Sequence, residues 1–190
     1  MDEYVEEYIN YEPPKTPPKE LFYDAFYNLM KEKPLDKIGV DEISERAGLS
    51  RRTFYRHFKS TESLLMYIFQ KRIDFFISCY SKKRPVDFQS MVAASFGHWN
   101  CFDKQFLYIL KSNGKLDRFL QCFLSRTIDL FAADMESEEK RSGYAAYVPY
   151  FITGGLCGIL VKWLEDGANI VPRHMSRVAT LVKKSDWLEK

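Results

Sequence analysis

The stretch Ile38–Leu65, IGVDEISERAGLSRRTFYRHFKSTESLL, leaves a folding chain few options. Gly39 stands at a cap position, and Asp41 and Glu42 follow where a helix N-terminus favours negative charge, so a helix is predicted from Val40 with Ile43 and Ala47 facing inward. Gly48 supplies a left-handed stop, and Ser50 caps a further helix that starts at Arg51. Two short helices joined across so few residues make a helix-turn-helix. They meet at a steep angle, which calls for a small side chain at Ala47, while Leu49, Phe54 and Phe58 fill the wedge between them.

The flanks extend this reading. Residues 1–17 combine acids, tyrosines and prolines and are expected to form an extended, mobile arm. From Pro18, Leu21, Phe22, Ala25, Phe26, Leu29 and Met30 trace one apolar stripe of a first helix that Pro34 closes. A longer helix is predicted over Thr61–Ser81, ended by Lys82-Lys83-Arg84-Pro85, with further helices near 87–99, 102–112, 115–134, 142–166 and 172–187. No strand pattern competes. The expected fold class is therefore all-α: a three-helix unit over 18–60, joined through the long helix to a helical domain over 61–190.

Charge is distributed unevenly although the net value is only +2. Residues 1–14 carry five acids and no base, whereas residues 15–84 carry fifteen bases and nine acids. Within that segment Arg51, Arg52, Arg56 and Lys59 follow one another with no acid between them, the footprint of a surface that faces phosphates. Other chemistries lack their marks. The four cysteines, Cys79, Cys101, Cys122 and Cys157, and the three histidines, His57, His98 and His174, show no ligand spacing, so no metal site and no cofactor are expected. No paired carboxylates, nucleophile with its base or phosphate-cradling glycine loop stands at a recognisable spacing, which argues against an enzyme. The uncharged run Val148–Val161 contains Pro149, Thr153 and three glycines and is read as a buried helix, too short to cross a bilayer. MDEYVEEY at the start lacks the basic and apolar regions of an export signal, so a cytoplasmic protein without membrane partners is expected.

Over nearly thirty residues, the Ile-x-x-x-Ala-Gly-Leu-Ser turn, Thr-Phe-Tyr-x-x-Phe and the following Leu-Leu resemble the DNA-binding segment of the tetracycline-repressor (TetR) family of bacterial regulators. FITGGLCGILVKWLEDG (Phe151–Gly167), followed by Pro172, resembles the C-terminal domain of a branch found mostly in Gram-positive bacteria. The resemblance implies a repressor that binds double-stranded DNA, with the helix at 51–57 in the major groove. It implies contacts from Ser50, Arg51, Arg52, Thr53, Tyr55, His57, Lys59 and Thr61. Arginine suits the guanine edge because its planar fork donates to two acceptors at once, whereas on a phosphate it adds affinity without sequence information. Two positions depart from the pattern: many relatives carry Thr where Gly39 stands and Lys where Thr61 stands.

For the second domain the resemblance implies a homodimer whose last two helices pair with those of a second copy. Gly154, Gly155 and Gly158 allow close approach there, and Ile159, Trp163, Val178, Leu181 and Val182 offer apolar area. It also implies an effector pocket for a small apolar or aromatic molecule, here expected around Phe96, His98, Asn100, Phe123, Tyr147 and Phe151. Two other readings fit the composition less well. One is an effector-binding or protein-interaction module of this fold without DNA binding, which the arginine cluster argues against. The other is a nonspecific architectural DNA binder, which near-neutral charge disfavours.

Overall fold

The computed structural model describes residues 16–132 and 145–183. Among these residues every regular element is helical, so the fold class is all-α. Most of the expected arm (1–15), the segment 133–144 and the end from 184 lie outside the described residues. The chain divides into two compact units between Tyr67 and Ile68, inside a helix rather than at its start.

The first unit contains α1 (Pro18–Glu32), a 3-10 turn (Leu35–Lys37), α2 (Val40–Arg46), α3 (Arg51–His57) and the opening turns of α4 (Thr61–Lys82). Pro18 occupies the first turn of α1, where its missing N–H costs nothing. The helix buries Phe22, Ala25, Phe26, Leu29 and Met30 at the spacing that puts them on one face, while Leu21 is half-buried at its edge. Phe22 meets Phe54 of α3 edge-on with centroids 5.2 Å apart, and Phe58 lies 6.2 Å from Phe22 and 5.7 Å from Phe54. Each such fully buried ring is worth about 1.5–3 kcal/mol in transfer free energy, so this cluster dominates a unit this small.

The turn is built as its residues require. Gly48 adopts φ +65°, Leu49 N donates to Ser44 O at 2.9 Å and Gly48 N to Glu45 O at 3.0 Å. These two bonds cap the end of α2 and fix the direction in which the chain departs. Ile43 is fully buried beneath the turn and Ala47 is half-buried. A forked pair from Arg46 to Glu32, at 2.8 and 2.9 Å, and an ion pair of Lys33 with Glu42 join α2 to α1 and the residue after it.

The second unit continues α4 from Ile68 and adds α5 (Phe88–His98), α6 (Lys104–Ser112), α7 (Leu116–Ala132), α8 (Val148–Glu165) and α9 (Pro172–Lys183). Helix α9 packs on α5, and α8 on α7. Aromatic rings fill the centre: Phe76 lies 4.9 Å from Phe123, Phe96 lies 5.0 Å from Trp99, and Phe96 meets Trp163 edge-on at 5.5 Å.

Two expectations are corrected here. The helices near 87–99 and 102–112 are not separated, because Trp99–Asp103 forms a widened π turn that carries α5 directly into α6. Its extra residue turns both Trp99 and Asp103 inward, where they are 1% and 2% exposed, and Asn100 marks no break. The run Val148–Val161 is not a wholly buried helix. The helical stretch Ala145–Glu165 is long and apolar enough to cross a membrane by length and composition, contrary to the reading of the shorter run. Burial in it is one-sided, along Pro149, Thr153, Leu156, Cys157, Leu160, Trp163 and Leu164, the pattern of a helix packed against a bundle.

Candidate nucleic-acid interface

Helix α3 has two unlike faces because its apolar and polar residues alternate with the helical repeat. Phe54 points into the aromatic wedge and is wholly buried, and Phe58 follows it one turn later. Arg51, Arg52, Tyr55 and Arg56 project from the opposite side and are exposed. This separation is what a groove-reading helix needs: a rigid apolar anchor behind, and long hydrogen-bonding side chains in front.

The start of α3 is held by Ser50, whose Oγ accepts from the Thr53 backbone N–H at 3.1 Å and shares a hydrogen bond with the Thr53 hydroxyl at 3.0 Å. Both hydroxyls are therefore engaged in capping. Arg51 reaches back across the turn, its Nε donating to Asp41 Oδ1 at 2.8 Å. The guanidinium is held above its ordinary pKa, first by a hydrogen bond to the Tyr55 hydroxyl and then by the Asp41 charge, so it is a fixed cation. Beyond α3, Lys59 is exposed and Thr61 is half-buried in the first turn of α4. His57 is placed differently from its exposed neighbours. It is half-buried, its Nε2 is enclosed without a partner among the described residues, and its ring lies 6.5 Å from that of Phe58.

Three features of this surface escaped the residue pattern. Arg56 stands out on the same side as Arg52, a contact position that the charge cluster alone marked. Asp41 is the partner of Arg51 only because the turn folds α2 back toward α3. Ser60, not Thr61, caps α4: its Oγ accepts from Ser63 N at 3.2 Å, and its own N–H donates to Ser63 Oγ at 3.1 Å. The serine pair three residues apart was the available signal.

In the second unit the six residues expected around a pocket do not come together. Phe96 and Phe123 are in the core, Asn100 is half-buried in the π turn, and Tyr147 and Phe151 are 71% and 72% exposed. Only His98 of the six lines the cavity that does exist, beside Phe76, Cys79, Tyr80, Lys83, Ala94 and Phe102. The correction follows from the phase of α8, whose buried side passes through Leu156 and Leu160 and so turns Phe151 outward. Of the residues expected on a pairing face, Trp163 belongs to the core of the single chain, where its Nε1–H donates to Ile170 O at 2.9 Å. Gly154, Gly155, Gly158 and Leu181 are exposed, and Ile159, Val178 and Val182 are half-buried.

Residues 22–68 match the family model described as bacterial regulatory proteins, tetR family. This segment is a tetR-type domain. The chain is similar to YwcC of Bacillus subtilis (strain 168), an HTH-type transcriptional regulator, with 42% identity over 53 residues that make up 28% of this chain and 24% of that protein. It thus matches about a quarter of the length of the first curated relatives. A longer match, 25% identical over 164 residues, covers 83% of this chain and 84% of DhaS, a dhaKLM operon transcriptional activator of Lactococcus lactis subsp. lactis (strain IL1403). Among solved structures, the fatty acid degradation regulator FadR from Bacillus halodurans aligns with a TM-score of 0.62 at 18% identity, covering 87% of this chain and 93% of that one, and so shows the shared fold.

Within the tetR-type domain, Gly39 still serves as the cap of α2: its backbone is extended and Ile43 N donates to its carbonyl at 3.1 Å, but no side chain caps the helix. Thr61 offers a hydroxyl at the start of α4 where many relatives have a lysine, and the nearby exposed Lys59 keeps a positive charge in the region.

Proposed function

We propose that this protein is a sequence-specific DNA-binding transcriptional regulator of the tetR type that acts in the cytoplasm as a symmetric pair. One observation carries the reading. The outward face of α3 presents Arg51, Arg52, Tyr55 and Arg56 from a helix anchored by Phe54 and capped by Ser50. In this role α3 lies in the major groove, the arginines read base edges or bind phosphates, and Tyr55 donates its hydroxyl to the backbone. Lys59 and the start of α4 add phosphate contacts. Thr53 and Ser50 act through the cap that orients the helix.

Two-fold pairing supplies the second α3 about 34–36 Å away and so matches a palindromic site. The outer side of α8 supports this pairing. A side-chain carbon added at Gly154, Gly155 or Gly158 would meet nothing within 4 Å, so packing within the chain does not require glycine there. Three glycines in one helix cost about 1 kcal/mol each relative to alanine, an expense that close approach of another helix offsets. Phe151, Gly154 and Gly158 share that outer side, as the C-terminal motif of the Gram-positive branch suggests.

Repression is the proposed mode, relieved by a small-molecule effector bound in the second unit. A second reading, activation, is favoured by the similarity to DhaS, an operon activator. Fluorescence anisotropy of the full chain with its own upstream DNA, competed by unrelated DNA, tests the proposal. Preference for the upstream fragment by about a thousandfold is expected for a specific regulator. Equal binding to both would reduce the chain to a nonspecific binder, and no binding would favour a module without DNA. A promoter reporter with and without the protein separates repression from activation.

A further inference from the structure

The second unit holds a cavity of about 200 Å³ whose position follows from the π turn. Phe76 and Tyr80 of α4 and Phe102 form its aromatic walls, Ala94 of α5 contributes a small side, and His98 closes one end. Phe76 and Tyr80 are buried, whereas Phe102 is 52% exposed and is the wall able to swing aside. Lys83 lines the rim with its stem, an arrangement that leaves the ammonium in water.

Polar chemistry concentrates on one ring. His98 is 6% exposed, and its Nε2 lies 3.0 Å from Asp103 Oδ2. Arg72 Nη1 donates to the other carboxylate oxygen, Oδ1, at 3.0 Å, and also to Phe102 O at 3.0 Å. An aspartate ion-paired to arginine accepts from its second neighbour, so the hydrogen of the neutral imidazole sits on Nε2 and Nδ1 is left as an acceptor. That Nδ1 is buried and has no partner among the described residues. A buried acceptor without a donor is costly, and here it belongs to a ring that lines a cavity with aromatic walls.

We propose that this cavity is a binding site for a monocyclic phenol, with its ring against Phe76, Tyr80 and Phe102 and its hydroxyl donating to His98 Nδ1. Size limits the occupant: an apolar cavity of roughly 150 Å³ accommodates benzene, so this one takes a single substituted ring and excludes a long acyl chain. Chemistry limits it further. An ionised carboxylate would set oxygen lone pairs against the Nδ1 lone pair, while a hydrocarbon would leave the nitrogen unsatisfied. A neutral ring bearing one hydroxyl meets both conditions. Asp103 and Arg72 are positioning residues that fix the tautomer and reach the ligand only through His98.

The site rests on the reading of the second unit as the sensing part of a regulator, and the test keeps the two apart. Isothermal titration of the full chain without DNA would compare phenol with toluene, which has the same shape but no donor, and with benzoate. Phenol is expected to bind at least about tenfold more tightly than either. His98→Phe should remove the preference for phenol over toluene while circular dichroism stays native. Ala94→Leu, which leaves the triad intact, should weaken both. Equal binding of phenol and toluene, tighter binding of benzoate, or unchanged preference in His98→Phe overturns the proposal. Absence of binding alongside intact DNA recognition overturns the site and spares the regulator. Phenol binding by a chain that fails to bind DNA supports the site and overturns the regulator.

Discussion

Arg51 Nε and Asp41 Oδ1 lie 2.8 Å apart across the turn, joining the first residue of α3 to the first turn of α2. Both side chains are largely exposed, so the pair adds little to stability, but it sets where the guanidinium points. Asp41 also occupies a donor that DNA would otherwise use. The pair therefore orients Arg51 before binding and competes with phosphate for it. Arg51→Ala is expected to weaken operator binding by roughly ten- to a hundredfold. Asp41→Asn should bind unrelated DNA more tightly than wild type and discriminate less between operator and unrelated sequence. Anisotropy titrations of both variants check this; an Arg51→Ala protein with wild-type affinity would remove the arginine from the interface.

The exposed cations predict a steep response to ionic strength. If each copy neutralises about three phosphates, log K against log salt should slope about −5 for the pair. Titrations over a range of salt concentrations measure the slope, and a value near zero contradicts a cationic interface.

Stability of the first unit should depend on the wedge far more than on the cap. Phe54 is wholly buried between Phe22 and Phe58, so Phe54→Ala is expected to cost about 3–5 kcal/mol. Ser50→Ala removes one side-chain cap and should cost about 1 kcal/mol. Urea denaturation followed by circular dichroism compares the two, and the opposite order would show that the wedge does not hold α3.

Association should respond to the outer side of α8 and not to its inner side. Phe151→Asp or Gly158→Arg places a charge where no atom of the same chain packs closely, so helicity should be retained while the pair dissociates. Sedimentation velocity reads the outcome. A variant that remains associated would move the pairing face elsewhere.

Alkaline pH should loosen the first unit through Tyr67. Its hydroxyl donates to Glu20 Oε1 at 2.7 Å, and its pKa is pushed up from 10.0 to about 12, first by burial and then by that hydrogen bond and the charge of Glu20. Below the unfolded value the tyrosine is neutral in both states and its contribution is fully present. Between about 10 and 12 the unfolded chain loses the proton while the folded one keeps it, so stability falls as pH rises. Tyr67→Phe should flatten that part of the stability profile, and an unchanged profile would remove Tyr67 as the cause.

What the sequence determined by itself was local and periodic. The stop at Gly48, the cap at Ser50 and the inward Phe54 follow from backbone geometry and the helical repeat, which act over a few residues and can be read in order along the chain. The outward cations of α3 follow from the same repeat. Tertiary structure alone decided which distant groups meet. The Arg72–Asp103–His98 chain joins residues 31 and 5 positions apart through a π turn that no periodic pattern announces, although Asp103 is the only acid between Asp87 and Asp117. The rotation of α8 likewise placed Trp163 in the core and Phe151 on the surface, because a helix that is apolar on every side carries no signal for its own orientation. Packing against α7 chooses that orientation.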